Sequence, residues 1–289
     1  MKIAVLSINI GDYVVFWKEF YESAKKNFMT DAELSFYVFT DNISKIKDES
    51  GNDVYCIYQE DMGWPFNTMK RFHLFVKITN QLLEYDYVFF ANANAKFVSK
   101  IDTKLIDTSK LYIMAEHPGF HGKRNEDKPF ERNTESNAYV SLDNGKFYVQ
   151  GAFYGGKSKE FVDMIRFLDD ETEKDLSKNI IAIWHDESFL NMFVSKNLDK
   201  CQILGWQYLY YEERVFPYRP VILLRDKRKY ITNKNGRFKN QNYKVEYFKL
   251  FLRNIKWKFL ILLHIKKLEE NIVQDNQYRN NNVTYKAGE

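Results

Sequence analysis

The sequence contains few cysteines and no long hydrophobic run. Two cysteines among 289 residues, Cys56 and Cys201, exclude a framework of disulfide bonds and favour a reducing compartment. The apolar run Phe259–Leu263 is far shorter than the ~20 residues that a membrane-spanning helix needs. The apolar residues Ile3–Ile8 lead into Asn9-Ile10-Gly11-Asp12 rather than into a small-residue cleavage site. We therefore expect no signal peptide and a cytoplasmic protein.

Motifs that bind nucleotides through glycine-rich loops are also missing, as are histidines spaced to bind a metal. No Walker or dinucleotide-binding fingerprint occurs, which removes the main support for kinase, ATPase and dehydrogenase functions. The five histidines show no ligand spacing apart from His117 and His121, and Pro118-Gly119 interrupts any helix that would bring these two together. We expect no zinc site.

The charge of the chain is unevenly distributed. The formal net charge is +4, yet residues 237–267 carry nine Lys or Arg and one Glu, which leaves residues 1–236 nearly neutral. A nucleic-acid-binding protein would spread basic side chains over its folded body, so we expect no nucleic-acid partner. The pattern predicts a globular domain over 1–236, followed by a basic helix and a polar tail over 237–289.

The first half of the chain has the pattern of an α/β fold. Apolar residues make up 45% of the sequence, which disfavours disorder. Short aromatic or β-branched runs alternate with helical patterns, which indicates an open, mostly parallel sheet. Strands are predicted at 3–8, 34–40, 54–58, 85–90, 147–154 and 201–206, and helices at 14–29, 67–83, 158–176 and 184–196. Ligands bind beyond the carboxyl ends of such strands, so the abrupt polar end at Ala91-Asn92-Ala93-Asn94 is a candidate site.

Two features in the middle of the chain allow more than one interpretation. Residues 117–146 are polar and rich in turn-forming residues, and a segment of this length is either a substrate-covering loop or a disordered insert. Gly155-Gly156 is predicted to end the strand that starts at Phe147. These glycines either let the backbone approach a ligand or form a simple bend.

Three polar clusters carry candidate chemistry. His185, Asp186 and Glu187 open a predicted helix, where the carboxylates either act in catalysis or simply favour the positive end of the helix dipole. Asn92 and Asn94 either point to a ligand from the same side of a strand or form a turn. A basic cluster either neutralises phosphates or is a solvated charge run, and it consists of Arg225, Lys227, Arg228 and Lys229.

The order of the motifs resembles that of a known family. The matching segments are Ile10-Gly11-Asp12-Tyr13, Phe28-Met29, Phe36-Tyr37-Val38-Phe39-Thr40-Asp41, Met69-Lys70-Arg71, Phe89-Phe90-Ala91-Asn92-Ala93-Asn94, His117-Pro118-Gly119-Phe120, Phe130-Glu131-Arg132, Ser136-Asn137-Ala138-Tyr139, Phe153-Tyr154-Gly155-Gly156 and Trp184-His185-Asp186-Glu187-Ser188. From about Ile3 to Lys229, the chain resembles glycosyltransferase family 6. This retaining family includes the mammalian histo-blood group A and B transferases and the α-1,3-galactosyltransferase, and the chain looks like a bacterial relative of them.

The resemblance implies a Rossmann-like type A glycosyltransferase (GT-A) fold with a mixed, mostly parallel central sheet. It also implies that Glu187 lies on the sugar face opposite the departing UDP, as nucleophile or electrostatic stabiliser, while Asp186 binds sugar hydroxyls. The implied donor site has Ile10 and Tyr13 at the uracil, Val38 and Asp41 near the nucleoside, Arg71 at the sugar or phosphates, and in addition Asn92, Asn94, Gln150, Gly151, Ala152, His185 and Lys227. The implied acceptor site comprises His117, Trp184 and Glu187.

One departure from the family concerns the metal. Animal members have Asp-x-Asp where this chain has Asn92-Ala93-Asn94, and their carboxylates bridge a divalent cation to the diphosphate. Two neutral amides supply none of the negative charge that hard cations prefer. We therefore expect no metal and no other cofactor. Lys227, with Arg225 or Arg228 nearby, would stabilise the leaving UDP in place of the ion.

The resemblance also implies substrates. His117-Pro118-Gly119-Phe120 matches the blood-group branch, whose acceptor is a fucosylated galactoside, and small residues at Gly151 and Ala152 favour an N-acetylated donor. We therefore expect an α-1,3 transfer of GalNAc from UDP-GalNAc to the galactose of a Fucα1,2Gal acceptor. Two alternatives stay open, namely UDP-Gal as the donor and a non-catalytic module that binds UDP-sugars or glycans. A UDP-sugar hydrolase is a further rival.

The C-terminal segment lies beyond the resemblance. Residues 244–270 form an unbroken amphipathic pattern with a basic face, which either packs against protein or lies on an anionic membrane surface. Peripheral contact with the inner membrane is therefore a hypothesis for this segment.

Overall fold

A seven-stranded sheet organises the chain. The computed structural model describes residues 1–214 and 219–231; residues 1–210 and 220–231 lie in one compact unit, and 211–214 and 219 belong to a second unit. The predicted boundary at 236 and the predicted helix at 244–270 lie outside the described residues. Among the described residues, no helix has the length and apolar character required to cross a membrane.

The strands of the large sheet follow the order β3-β2-β1-β4-β7-β6-β8. All are parallel except β7, which is antiparallel to both β4 and β6. The described strands are β1 (Lys2–Ile8), β2 (Glu33–Thr40), β3 (Val54–Tyr58), β4 (Tyr87–Ala91), β5 (Ala95–Phe97), β6 (Tyr112–Glu116), β7 (Val149–Lys157), β8 (Cys201–Leu204), β9 (Tyr210–Tyr211) and β10 (Ile222–Leu224). Outside the large sheet, β10 pairs antiparallel with β5. The predicted mixed, mostly parallel α/β sheet is confirmed.

The helices differ from the prediction mainly in length. The described α-helices are α1 (Trp17–Asn27), α2 (Ile43–Asp48), α3 (Phe66–Met69), α4 (Arg71–Val76), α5 (Thr79–Leu82), α6 (Ser158–Ser177), α7 (Asp186–Lys196) and α8 (Lys227–Tyr230). The predicted helix at 14–29 begins instead with the 3-10 turn Gly11–Phe16. The predicted helix at 67–83 is three short helices, because the backbone leaves helical geometry at Lys70 and at Ile78.

Aromatic side chains cover both faces of the sheet. On one face, Phe28, which directly follows α1, packs edge-on against Phe89 and Phe153. On the other face, α4, α6 and α7 pack over the sheet, with Phe75 against Phe90 among the contacts. A sheet that is buried on both sides has strands that read as continuous apolar runs, which explains the sequence of β4.

The interpretation of Gly155-Gly156 as the end of a strand is wrong. Both residues lie inside β7, which continues to Lys157. A Cβ atom on Gly155 would lie 2.4 Å from Phe89 Cδ1 and 2.6 Å from the Val88 oxygen. The glycines therefore let β7 pack closely against its neighbours, and they neither form a bend nor approach a ligand.

Candidate active site

The polar ends of several strands meet at one edge of the sheet. The segments after β1, β2 and β4 all leave the sheet there, and the antiparallel β7 enters it at the same edge. The backbone N–H of Asn92 donates to the Ala152 oxygen at 2.9 Å, which places the predicted Asn92-Ala93-Asn94 site beside Gln150-Gly151-Ala152. α7 begins at Asp186 and contacts β7.

Arg71 lies at the centre of this site. It is 9% exposed, and its Nη1 lies 2.6 Å from Asp186 Oδ2 and donates to the Gly151 oxygen. Its Nη2 lies 3.4 Å from Asn92 Oδ1, and its guanidinium carbon is 4.5 Å from the centre of the Phe90 ring. A buried ion pair of this kind is retained only where its hydrogen bonds are well formed, and here one guanidinium joins α4, β7 and α7.

The carboxylate of Glu187 accepts hydrogen bonds from two donors, one just before β7 and one within it. The Tyr148 hydroxyl donates to Oε1 at 2.9 Å, and the Gly151 N–H donates to Oε2 at 2.9 Å. Burial raises the pKa of Glu187 to about 7, although both hydrogen bonds act to lower it. Groups with strongly shifted pKa values cluster at functional sites, which makes Glu187 a candidate catalytic group.

Asp186 has a related but distinct environment. It is 3% exposed, and burial raises its pKa to about 6, while Arg71 and Lys227 act to lower it. The adjacent carboxylates therefore differ in partners, since Asp186 pairs with a cation and Glu187 accepts from neutral donors. A charge that develops on a substrate would meet Glu187 rather than the neutralised Asp186.

The Asn92-Ala93-Asn94 segment forms a turn, which is one of the two alternatives that its sequence predicted. The Ala95 N–H donates to the Asn92 oxygen at 2.8 Å. Asn94 Nδ2 donates to the Arg225 oxygen at 2.8 Å, and the Arg225 N–H donates back to the Asn94 oxygen at 2.8 Å. Asn94 is thus tied to the segment before α8, and Asn92 lies beside the Arg71 guanidinium. Two neutral amides next to a fixed cation do not fit a divalent metal.

The cations of the basic cluster that are closest to the site differ in their partners. Arg225 forms an ion pair with Glu19, and Arg228 binds Asp226 through two atoms at 2.8 and 3.1 Å. Lys227 Nζ lies 5.2 Å from the centre of the Tyr13 ring, and Lys227 acts to lower the pKa of Asp186. Among the described residues, no ion pair within 4.0 Å is found for Lys227, so its charge remains available for a ligand.

The predicted nucleoside residues lie near the ends of β1 and β2. The Gly11 N–H donates to both Asp41 oxygens at 3.0 and 3.1 Å, which joins the two strand ends. Ile10 precedes the 3-10 turn Gly11–Phe16 and is 5% exposed, and Tyr13 lies within this turn. Val38 is fully buried inside β2 and offers no accessible surface in this structure. Its contact with a nucleoside stays a prediction.

The predicted acceptor residues differ in exposure. Trp184 is 49% exposed, immediately before α7. His117 accepts the Gly119 N–H at Nδ1 (2.9 Å), and its ring lies 5.8 Å from that of Tyr148, the donor to Glu187. His185, which has a positive φ of 53°, lies with its ring 5.6 Å from that of Trp64. Trp64 and Tyr148 were not predicted, since one lies in a turn and the other begins an apolar strand pattern.

The segment 117–146 is ordered by buried carboxylates. Asp175 of α6 is 1% exposed and accepts from Ser136 Oγ at 2.5 Å, Asn137 N at 2.8 Å and Asn137 Nδ2 at 2.7 Å. Glu131 accepts from its own segment and from the Ile183 N–H at 2.7 Å, just before Trp184. The disordered interpretation is therefore wrong, and the segment is joined to the chain that leads into the site.

His117 and His121, the two histidines that are close in sequence, have different neighbours. His117 contacts Gly119, whereas His121 Nδ1 lies 2.8 Å from Glu116. Within the described residues, a group with suitable ligand atoms occurs only at His73, Asp169 and Glu173, on the outer surface of α4 and α6, where Lys70 pairs with Glu173.

Comparison with known proteins agrees with the family resemblance that the sequence motifs indicated. A family model of glycosyltransferase family 6 matches residues 1–237. The chain is 34% identical over 229 residues to the O-antigen biosynthesis glycosyltransferase WbnI of Escherichia coli, which covers 78% of this chain and 95% of that protein.

Animal proteins match over a smaller share of their length. The histo-blood group ABO system transferase 2 of Rattus norvegicus is 31% identical over 191 residues, covering 64% of this chain and 56% of that protein. The globoside alpha-1,3-N-acetylgalactosaminyltransferase 1 of Gallus gallus is 28% identical over 225 residues, covering 75% and 64%. The family match extends over the whole sheet and over every residue of the site just described, and the chain therefore belongs to glycosyltransferase family 6.

Proposed function

We propose that the protein is a retaining α-1,3-N-acetylgalactosaminyltransferase that moves GalNAc from UDP-GalNAc to the galactose of a Fucα1,2Gal acceptor without a divalent metal. The observation that carries this proposal is the position of Glu187. Its carboxylate is held by Tyr148 and Gly151, with the Arg71–Asp186 ion pair beside it.

The two carboxylates have separate roles in this mechanism. Asp186 binds hydroxyls of the transferred sugar, and its charge is balanced by Arg71. Ionised Glu187 faces the anomeric carbon from the side opposite UDP, where it either attacks as nucleophile or stabilises an oxocarbenium-like centre. Both routes require the deprotonated carboxylate, and the Tyr148 and Gly151 donors hold it in one orientation.

Cations of the protein stabilise the leaving diphosphate. Arg71 and Lys227 both act to lower the pKa of Asp186, which supports a position of both charges close to this carboxylate. Positive groups that are already positioned stabilise developing negative charge at little reorganisation cost. Asn92 and Asn94 hold this arrangement through Arg71 and through the segment that carries Lys227.

The donor preference is inferred from space at β7. A Cβ on Gly151 would lie 3.3 Å from both Arg71 Nη1 and Asp186 Oδ2, so a larger residue there would have to shift the ion pair by a few tenths of an ångström. The next residue, Ala152, is also small. Names of the relatives, which include an N-acetylgalactosaminyltransferase and ABO transferases, support GalNAc transfer. UDP-Gal is the alternative donor, because a pocket separates such sugars by only ~1–3 kcal/mol.

Product analysis by NMR tests the proposal. The protein is mixed with 2′-fucosyllactose and with UDP-GalNAc or UDP-Gal, and a Glu187→Gln variant is the control. We expect an α-1,3-linked GalNAc product from the wild type and at least ~100-fold less from the variant. Binding of both donors without any product would favour the non-catalytic module, and free sugar without transfer would favour the hydrolase.

The basic helix predicted at 244–270 extends the proposal to location. It would bring the enzyme to an anionic membrane surface. Fractionation of cells that express the chain truncated after Asn240 tests this, with loss of the membrane-bound fraction expected and an unchanged distribution contradicting it.

A further inference from the structure

Asn191 links the strand and the helix that form the site. It lies on α7, one turn after Glu187, and is 1% exposed. Its Oδ1 accepts the Val149 N–H at 2.9 Å, and its Nδ2 donates to the Val149 oxygen at 2.8 Å and to the Glu187 oxygen at 2.9 Å. One side-chain amide thus binds both backbone groups of a strand residue, as a neighbouring strand would.

The position of Val149 gives this link its importance. Val149 directly follows Tyr148 and lies two residues before Gly151, so it lies between the two donors that hold the Glu187 carboxylate. On one side, Val149 is paired with Glu116 of β6; on the other side, the pairing of β7 with β4 starts at Phe153 and does not reach Val149. The side chain of Asn191 therefore fixes the start of β7, between Tyr148 and Gly151, against the helix that carries Glu187.

An apolar residue at this position would leave the Val149 N–H and C=O without these partners. Asn is unfavourable in helix interiors and seldom fully buried, because its amide must find partners. All three hydrogen bonds of Asn191 join groups within two residues of the catalytic carboxylate or of its donors. This concentration indicates a role in the site rather than in general packing.

We propose that Asn191 is a positioning residue that sets the orientation of Glu187 against Tyr148 and Gly151. The proposal rests on the proposed function only in giving Glu187 a catalytic role. Loss of the link lets β7 and α7 separate slightly, which lengthens the hydrogen bonds to the carboxylate. Since those bonds favour the ionised form, Glu187 then binds its proton more tightly.

Two variants and one control test this inference. Asn191→Leu removes all three hydrogen bonds at similar volume, and Asn191→Ser keeps a hydroxyl that can bind one of the Val149 groups. Asn197→Ser is the control, because Asn197 Nδ2 also donates to the carbonyl one turn earlier, that of Phe193 at 3.0 Å, without reaching β7. For each protein, kcat, KM for the donor and the pH dependence of kcat are measured.

A second readout does not depend on transfer. The melting temperature of each variant is compared with that of the same variant carrying Glu187→Gln, from pH 4.5 to pH 9. The pH at which the two curves separate reports the protonation of Glu187 even if no sugar is transferred. Absence of transfer by the wild type would therefore contradict the proposed function without deciding the role of Asn191.

We expect Asn191→Leu to lower kcat about 10- to 100-fold with donor KM changed less than about threefold. The pH at which kcat rises to half of its maximum and the pH at which the two melting-temperature curves separate should both increase by about one unit in Asn191→Leu. We expect a smaller shift in Asn191→Ser and none in Asn197→Ser. A loss of kcat without a pH shift, an unchanged kcat, or failure of both Asn191 variants to fold would each show that Asn191 is merely structural.

Discussion

The proposed catalytic residue Glu187 lowers the stability of the folded protein when it is ionised. The folded state raises its pKa from 4.5 to about 7, so the folded protein binds this proton more tightly than the unfolded chain. The folded state therefore loses stability as pH rises from about 4.5 through 7, by up to about 3 kcal/mol. Above pH 7 the whole penalty is present.

Glu187→Gln is expected to raise stability while it removes activity. Its amide can accept from Gly151 and donate to the Tyr148 oxygen, and it cannot ionise. Melting temperatures should agree with the wild type near pH 4.5 and exceed it by several degrees at pH 8. A gap that stays constant with pH, or a less stable variant at pH 8, would contradict the environment described for this carboxylate.

Lys227 is the cation of the basic cluster that we expect to act on the leaving group. Arg225 and Arg228 have carboxylate partners, whereas Lys227 contacts the Tyr13 ring. Lys227→Met should lower kcat about 100-fold, because a charge near the diphosphate is lost. Lys229→Met, on the exposed side of the same short helix, is the matched control for net charge. Equal effects of the two substitutions on steady-state rates would argue against a specific role.

Among the elements, β7 depends on close contact with β4. Gly155→Ala places a Cβ against the Val88 oxygen and the Phe89 ring, neither of which can move without displacing the strand. We expect a loss of more than ~3 kcal/mol in chemical denaturation. Gly63→Ala is the control: with a φ of 74° and open space around it, it should cost only about 1 kcal/mol. A mild effect at Gly155 would mean that the strands can separate at this point.

The segment 117–146 depends on Asp175 of α6. Asp175→Ala leaves three donors without their buried acceptor, which costs about 3 kcal/mol locally. We expect new proteolytic cleavage within 117–146 and a rise of at least tenfold in acceptor KM, because this segment joins His117 to the site. Asp163→Ala on the exposed face of α6, where Asp163 contacts Lys159 at 3.3 Å, should change neither. Unchanged proteolysis in Asp175→Ala would refute the anchoring role.

Over the whole molecule, the sequence pattern predicted the strands and helices better than it predicted the contacts between them. The parallel strands were evident from apolar runs, since both faces of the sheet are buried. β6 was not predicted, and the strand pattern could not distinguish a glycine bend from the close packing of Gly155. Asp186 and Glu187 were candidates from the sequence, and their catalytic roles stay a prediction. Their partners Arg71, Tyr148 and Gly151 come from three separate segments, and only the fold brings them together.

At the scale of the whole enzyme, the proposed function requires no divalent metal, since we propose that Arg71, Lys227 and the two asparagines take the place of a metal site. The most direct measurement is the initial rate of GalNAc transfer by the wild type in excess EDTA and, in parallel, with added Mn²⁺. We expect the rates in excess EDTA and with added Mn²⁺ to agree within about twofold. A rate that collapses in EDTA and is restored by Mn²⁺ would contradict it.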